Sequence, residues 1–285
     1  MSFCAPLANR SVIAVSGPDA HGFLQGLISN DVNKINNGQA IWAAFLTPQG
    51  KYLHDFFILE HEGKILLEVE RQRKDDLLRR LAMYKLRSKV ELSDLADGYQ
   101  VYAAWGGGAA AEGIVYQDPR LAEAGSRIII PSPLRGRKED EASFGQYDLH
   151  RIKLGLPDSS RDLIPERGIL LENGFEELNG VDWNKGCYMG QELTSRTKYR
   201  GLVRKRLLPC RVEGDLPASG AMVMAGDKEA GEVRSGIALG GETYCLALLR
   251  LEMLEQPLTA NSAKLSPSLP PWFKMPEGDK GEAAK

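Results

Sequence analysis

Cysteine is scarce: Cys4, Cys187, Cys210 and Cys245 are the only four in 285 residues, and no two form a C-x-x-C pair. That spacing excludes a zinc ribbon and a dense disulfide framework, so reduced thiols and no resident metal are expected. Histidine is equally sparse, with only His21, His54, His61 and His150. None lies in a recognisable partner motif, which argues against a cysteine hydrolase needing an imidazole base. No stretch approaches the roughly 18 uninterrupted apolar residues of a membrane span. The opening Met1-Ser2-Phe3-Cys4-Ala5-Pro6 lacks the basic and apolar regions of a secretory signal. These absences predict a cytosolic protein with no membrane partner. Charge of one sign is missing too: 36 basic against 38 acidic residues leave a net charge of −2. No global field recruits nucleic acid, so any anion site must be local.

What is present suffices for more than one core. With 43% hydrophobic residues over this length, two or three subdomains are expected. Ser11 to Ser16 reads as a strand, followed by a helix opening at Gly17-Pro18-Asp19 with Phe23, Leu24, Leu27 and Ile28 on one face. Ala40 to Leu46 and Tyr52 to Leu59 read as a hairpin turned at Thr47-Pro48-Gln49-Gly50-Lys51. A strand over Lys64 to Glu70 precedes a helix from about Gln72 to Arg87. Gly106-Gly107-Gly108-Ala109-Ala110-Ala111 follows a strand and fits G-x-G-x-x-G/A formally. A dinucleotide site also needs a full helix next, and Gly113 and Pro119 leave no room for one, so a plain loop is expected. Arg135 to Glu141 reads as a connection, and Tyr147 to Leu156 as a helix stopped by Pro157. Short strands recurring from Lys205 to Arg250 predict a small antiparallel barrel. The Pro-rich stretch 266–285 predicts a disordered tail.

The chemistry is concentrated between Lys185 and Glu192. Asn179 to Glu192 packs a thiol, an ammonium, carboxylates, amides and three glycines into fourteen residues, a composition unlike that of a core. Gly186 and Gly190 permit close backbone approach or positive φ. A helix from Gln191 to Thr197 would direct free N–H groups at the loop. Cys187, with Lys185 nearby, would then favour thiolate and serve as nucleophile, redox group or soft metal ligand. Cys4, Cys210 and Cys245 read as small buried hydrophobes. Downstream, Arg196, Lys198, Arg200, Arg204, Lys205 and Arg206 place six cations in eleven residues. They suit a ligand carboxylate or an RNA phosphate, or simply form a solvated helix face.

Lys185-Gly186-Cys187-Tyr188-Met189-Gly190-Gln191-Glu192, continuing to Lys198-Tyr199-Arg200-Gly201, resembles the K-G-C-Y-x-G-Q-E signature of the YgfZ family. Phe23-Leu24-Gln25-Gly26 with Asn30-Asp31, Thr47-Pro48-Gln49-Gly50-Lys51 and Leu163-Ile164-Pro165-Glu166 extend the resemblance over nearly the whole chain. It implies an α+β, three-subdomain ring like the glycine cleavage T-protein. A discontinuous folate-binding subdomain would span 1–47 and 136–203, a ferredoxin-like insert 48–135, and a closing barrel 204–265. It also implies a tetrahydrofolate-dependent accessory factor for assembly or repair of iron-sulfur enzymes, affecting transfer-RNA thiolation.

On that reading Cys187, beside Lys185, handles sulfur, iron or a one-carbon unit and carries a transient iron-sulfur or sulfur species. Tyr188, Gly190, Gln191 and Glu192 would position the pterin, and Arg196 or Arg200 its glutamate tail. Gln191 and Glu192 have a second reading as caps of the following helix. Where the T-protein has an acidic pair, this chain has His54-Asp55, leaving Asp55 for a pterin hydrogen bond. Relatives often place an aromatic where this chain has Arg10 and Ser11. Two rival functions remain at this stage. One is an aminomethyl transferase using tetrahydrofolate with Asp55 as acid-base group, and the other is a transfer-RNA-binding module using Arg196 to Arg206.

Overall fold

The computed structural model describes residues 2–35, 39–107, 113–132, 142–201 and 203–276. Two compact units emerge: one comprises Met1–Leu46, Leu53–Tyr147 and Asn179–Met189, the other Thr47–Tyr52, Asp148–Leu178 and Gly190–Lys285.

The first unit is built on β1 (Phe3–Pro6), β2 (Arg10–Ser16), α1 (Ala20–Gln25), β3 (Ala40–Leu46), β4 (Tyr52–His61), β5 (Lys64–Glu70), α2 (Lys74–Lys85), β6 (Glu91–Asp94), β7 (Tyr99–Trp105), β8 (Ile114–Gln117) and β9 (Ser126–Pro131). A five-stranded sheet runs in the order β3-β4-β5-β2-β6, and a four-stranded sheet in the order β1-β7-β9-β8. Strands from 48–135 therefore pair with strands from 1–47 in both sheets. The five-stranded sheet carries the main core, where Ile13, Phe45, Phe56, Ile58 and Leu67 pack with Phe23 and Leu24 of α1 and Leu77 and Leu81 of α2. α1 is shorter than its apolar stripe suggests. Leu27 and Ile28 are buried after it ends, and Ile28 bridges to Phe45 of β3.

A fully buried ionic cluster joins the two sheets. Glu68 of β5 accepts from Arg10 Nε of β2 at 2.9 Å, from Arg127 Nε of β9 at 2.8 Å, and from the Tyr116 hydroxyl of β8. Burial alone would raise the Glu68 carboxyl, but Arg127 and Arg10 outweigh it and hold it down to about 2. The guanidinium groups of Arg10, Arg120 and Arg127 lie 5.7, 4.8 and 4.2 Å from the Phe57 ring centroid.

The second unit contains most of α3 (Phe144–Lys153), then α4 (Gln191–Tyr199), β10 (Lys205–Glu213), β11 (Met222–Ala225), β12 (Lys228–Leu239), β13 (Glu242–Arg250), β14 (Leu258–Ala260) and β15 (Ala263–Pro267). Its six strands close into an antiparallel barrel in the order β10-β13-β12-β11-β14-β15. Cys210 and Cys245 face each other across β10 and β13, both fully buried in the barrel core. Arg151 of α3 is buried among Asp148, Asp162 and Ser235 and donates to all three at 2.6 to 2.8 Å.

The disordered tail expected from Ser266 onwards is corrected over 266–276. β15 extends through Pro267, and the Trp272 indole donates to the Leu154 carbonyl at 2.7 Å. Proline-rich composition predicted disorder, but one aromatic anchor supplies the burial that composition does not register. The end of the tail, 277–285, and the connection read at Arg135 to Glu141 lie outside the described residues. Most of the Gly106 to Ala111 loop lies outside them as well.

Candidate functional site

The loop from Asn179 to Met189 is stitched to the segment that follows α1. Asn30 Nδ2 donates to the Asn179 carbonyl at 2.7 Å, and Ser29 Oγ donates to that of Gly180 at 2.6 Å. The Asp182 amide donates to the Ser29 carbonyl at 3.0 Å, and the Met189 amide to that of Gly26 at 3.1 Å. Asp182 also organises the loop from within, because its Oδ1 accepts the amides of Asn184 at 2.6 Å and Lys185 at 3.0 Å. Its other oxygen pairs with Lys34 at 2.5 Å. Burial would raise the Asp182 carboxyl, but Lys34 and the two amides outweigh it and keep it low.

Lys185 closes the clamp. Its ammonium donates to the carbonyls of Gln25 at 2.8 Å, Ile28 at 2.6 Å and Asn30 at 2.7 Å, using all three N–H groups. Burial lowers its pKa to about 8, against the pull of Asp31 and Asp182. The side chain therefore remains an ammonium at neutral pH, committed to backbone acceptors. This corrects its expected part in the chemistry: Lys185 positions the loop. Tyr188 is buried beside it, with the ammonium 5.1 Å from its ring centroid. Cys187, between these two anchored side chains, is exposed. Of the other cysteines, Cys4 is partly buried while Cys210 and Cys245 are sealed in the barrel.

The remaining expected site residues are placed differently. Asp55 is buried on β4 and its Oδ2 accepts the Trp42 indole N–H at 2.9 Å. His54, its strand neighbour, turns to Asp76 of α2 at 2.9 Å. Burial and the nearby Arg73 hold the imidazole down to about 4. Gly190, with φ +82°, caps α4, and Gln191 is its first residue. Glu192 is exposed on α4 and pairs with Arg196 one turn on. Arg200 lies exposed at the helix end. Asp55, Glu192 and Arg196, to which pterin and glutamate contacts were assigned, each have a protein partner in this structure. Three of the six cations from Arg196 to Arg206 are also matched with acids: Arg196 with Glu192, Lys198 with Glu176, and the buried Arg206 with Glu177. Among the described residues, no three His, Cys, Asp or Glu side chains converge as a metal site.

Sequence reasoning missed Gln25, Ser29, Asn30 and Asp182 as supports of the loop. The Phe23 to Asp31 segment was visible as a motif, but its pairing with a loop about 150 residues later depends on the fold.

Residues 8–113 match the GCVT N-terminal domain family, and residues 204–275 the CAF17 C-terminal beta-barrel domain family. The iron-sulfur cluster assembly factor IBA57 homolog, mitochondrial, of Neurospora crassa is 37% identical over 247 residues, covering 75% of this chain and 56% of the relative. The human iron-sulfur cluster assembly factor IBA57, mitochondrial, is 32% identical over 309 residues, covering 95% and 85%. The chain belongs to the IBA57 family. It spans 56% of the length of the Neurospora crassa relative. Family relatives are named as mitochondrial proteins, which overturns the cytosolic expectation. The features sought at the N-terminus bear on secretion and do not address organelle import. The chain shares its fold with the glycine cleavage system aminomethyltransferase T of Bartonella henselae, with a TM-score of 0.75 at 14% identity, covering 95% of this chain and 86% of that one.

Proposed function

We propose that this protein is an iron-sulfur cluster assembly factor in which Cys187 takes iron or sulfur in transit to client enzymes. The observation that carries the reading is an exposed thiol on a loop held by Asp182 and Lys185, while two of the other three thiols are sealed in the barrel. A clamped loop presents sulfur to a partner without first having to order the backbone. Iron-sulfur clusters are held by several thiolates, so a single cysteine supplies one ligand and leaves the others to the donor or client. The cluster is therefore cargo. Transfer-RNA thiolation would be affected through iron-sulfur clients.

Tetrahydrofolate enters only as a ligand to titrate. Its support is the shared fold. An aminomethyl transferase is disfavoured because Asp55 is buried against Trp42 and the acid that would precede it is replaced by His54.

The test is Cys187→Ser, a near-isosteric exchange at an exposed position. Its unfolding transition should match wild type, whereas the activity of an iron-sulfur client enzyme in cells should fall to that of cells lacking the protein. Full client activity with the serine variant would defeat the reading. Titration of both purified forms with tetrahydrofolate checks folate binding separately from the thiol.

A further inference from the structure

Among the exposed large apolar side chains of the described residues, Met83, Tyr84 and Leu86 fall within four positions of the chain, at 60%, 38% and 89% exposure. They occupy the end of α2 and the turn towards β6. Tyr84 is anchored, its ring edge-on to core residue Phe45 with centroids 5.9 Å apart. Leu86 is held away from any packing by a backbone at φ +41° and ψ −108°, a conformation unfavourable for a branched side chain. Exposure and backbone strain both work against keeping leucine there.

The charges around the tip have one dominant sign. Lys85, Arg87 and Lys89 flank Leu86, and no acid occurs from Met83 to Lys89. The facing acid is Asp19, whose carboxylate accepts the Lys89 amide at 2.7 Å. On α2 itself, Asp76 is occupied by Arg79, Arg80 and His54, and Asp75 lies near Lys74 at 3.7 Å. Beside the tip is an open depression of about 730 Å³ lined by Asp19, Tyr84, Leu86, Arg87 and Ser88.

We propose that this tip docks on an anionic phospholipid surface, with Leu86 and Met83 entering the headgroup-acyl boundary and Lys85, Arg87 and Lys89 pairing with phosphates. An apolar point ringed by cations matches such a boundary, where the apolar groups are buried while the cations remain at the charged plane. The whole chain is slightly acidic, so any attraction must be local. Three side chains offer too little area for a stable protein interface, which buries on the order of 1,000 Å² or more. No described helix is long and apolar enough to cross a membrane. Docking through the tip departs from the expectation that the protein has no membrane partner.

Vesicle flotation tests the proposal on the full chain. Wild type should float with phosphatidylcholine vesicles containing phosphatidylserine, should stay behind with phosphatidylcholine alone, and should be released by salt. Leu86→Asp should weaken binding roughly tenfold or more, and Lys85→Gln with Arg87→Gln roughly tenfold or more together. Leu86→Met should bind as wild type does. These positions lie at a surface tip, so unchanged thermal unfolding should accompany each substitution. Equal binding to neutral vesicles, or undiminished binding by Leu86→Asp, would overturn the assignment. Failure to bind either vesicle would overturn it too and leave the tip to a protein partner.

Discussion

Lys185 shows how a residue that sequence alone assigns to chemistry can be taken up by architecture. Removing its ammonium in Lys185→Met leaves three buried carbonyls without their donor, at a cost of about 3 kcal/mol. Urea unfolding should show that loss, and the looser loop should let Cys187 react faster with iodoacetamide in the folded protein. His54 makes a different prediction. Its imidazole is neutral in the native state down to about pH 4, whereas an unfolded histidine takes its proton near 6.5. The unfolded chain therefore binds the extra proton first. Stability should be full above pH 6.5 and fall by about 3 kcal/mol between there and pH 4. Urea midpoints across that range should fall less for His54→Gln. The exposure of Cys187 was legible because polar residues and glycines surround it. The partners of Lys185 and Asp55 were not legible, because each is chosen by three-dimensional neighbours.

At the scale of elements, long apolar patterns survived well: β2, β3, β5, α2 and the main barrel strands lie close to where periodicity puts them. Short strands escaped. β6 is Glu-Leu-Ser-Asp, and β8 is only four residues long. Their pairing is imposed by β2 and β9 rather than announced by hydrophobicity. The turn before β4 shows the reverse case, a sequence signal whose reason appears only in the fold. Gly50 has φ +77°, and a Cβ there would sit 2.6 Å from the Gly190 carbonyl oxygen and 2.6 Å from Leu193 Cβ. Gly50→Ala should therefore displace the start of α4 and cost about 2 kcal/mol. A lowered melting temperature, with amide exchange accelerated in Gln191 to Leu193, would register the change.

For the molecule as a whole, the barrel and the aminomethyltransferase-like fold were foreseen, while the order of residues 266–276 was not. Trp272 explains the difference. Its indole fits against Gly155 and Gly174, where an added Cβ would come within 3.0 Å of the ring. Trp272→Ala should cost about 3 kcal/mol in the unfolding of the barrel-containing unit, read by chemical denaturation of the full chain.

Closure of that barrel bears on how partners can be recruited. A strand within a closed ring has both flanks satisfied, so an incoming polypeptide finds no ladder of unpaired amides to extend. Recruitment by strand addition is therefore barred there, and recognition must come from side chains and loops. The two open sheets of the other unit still end in β3, β6, β1 and β8. These are the borders at which an extended peptide could be annexed.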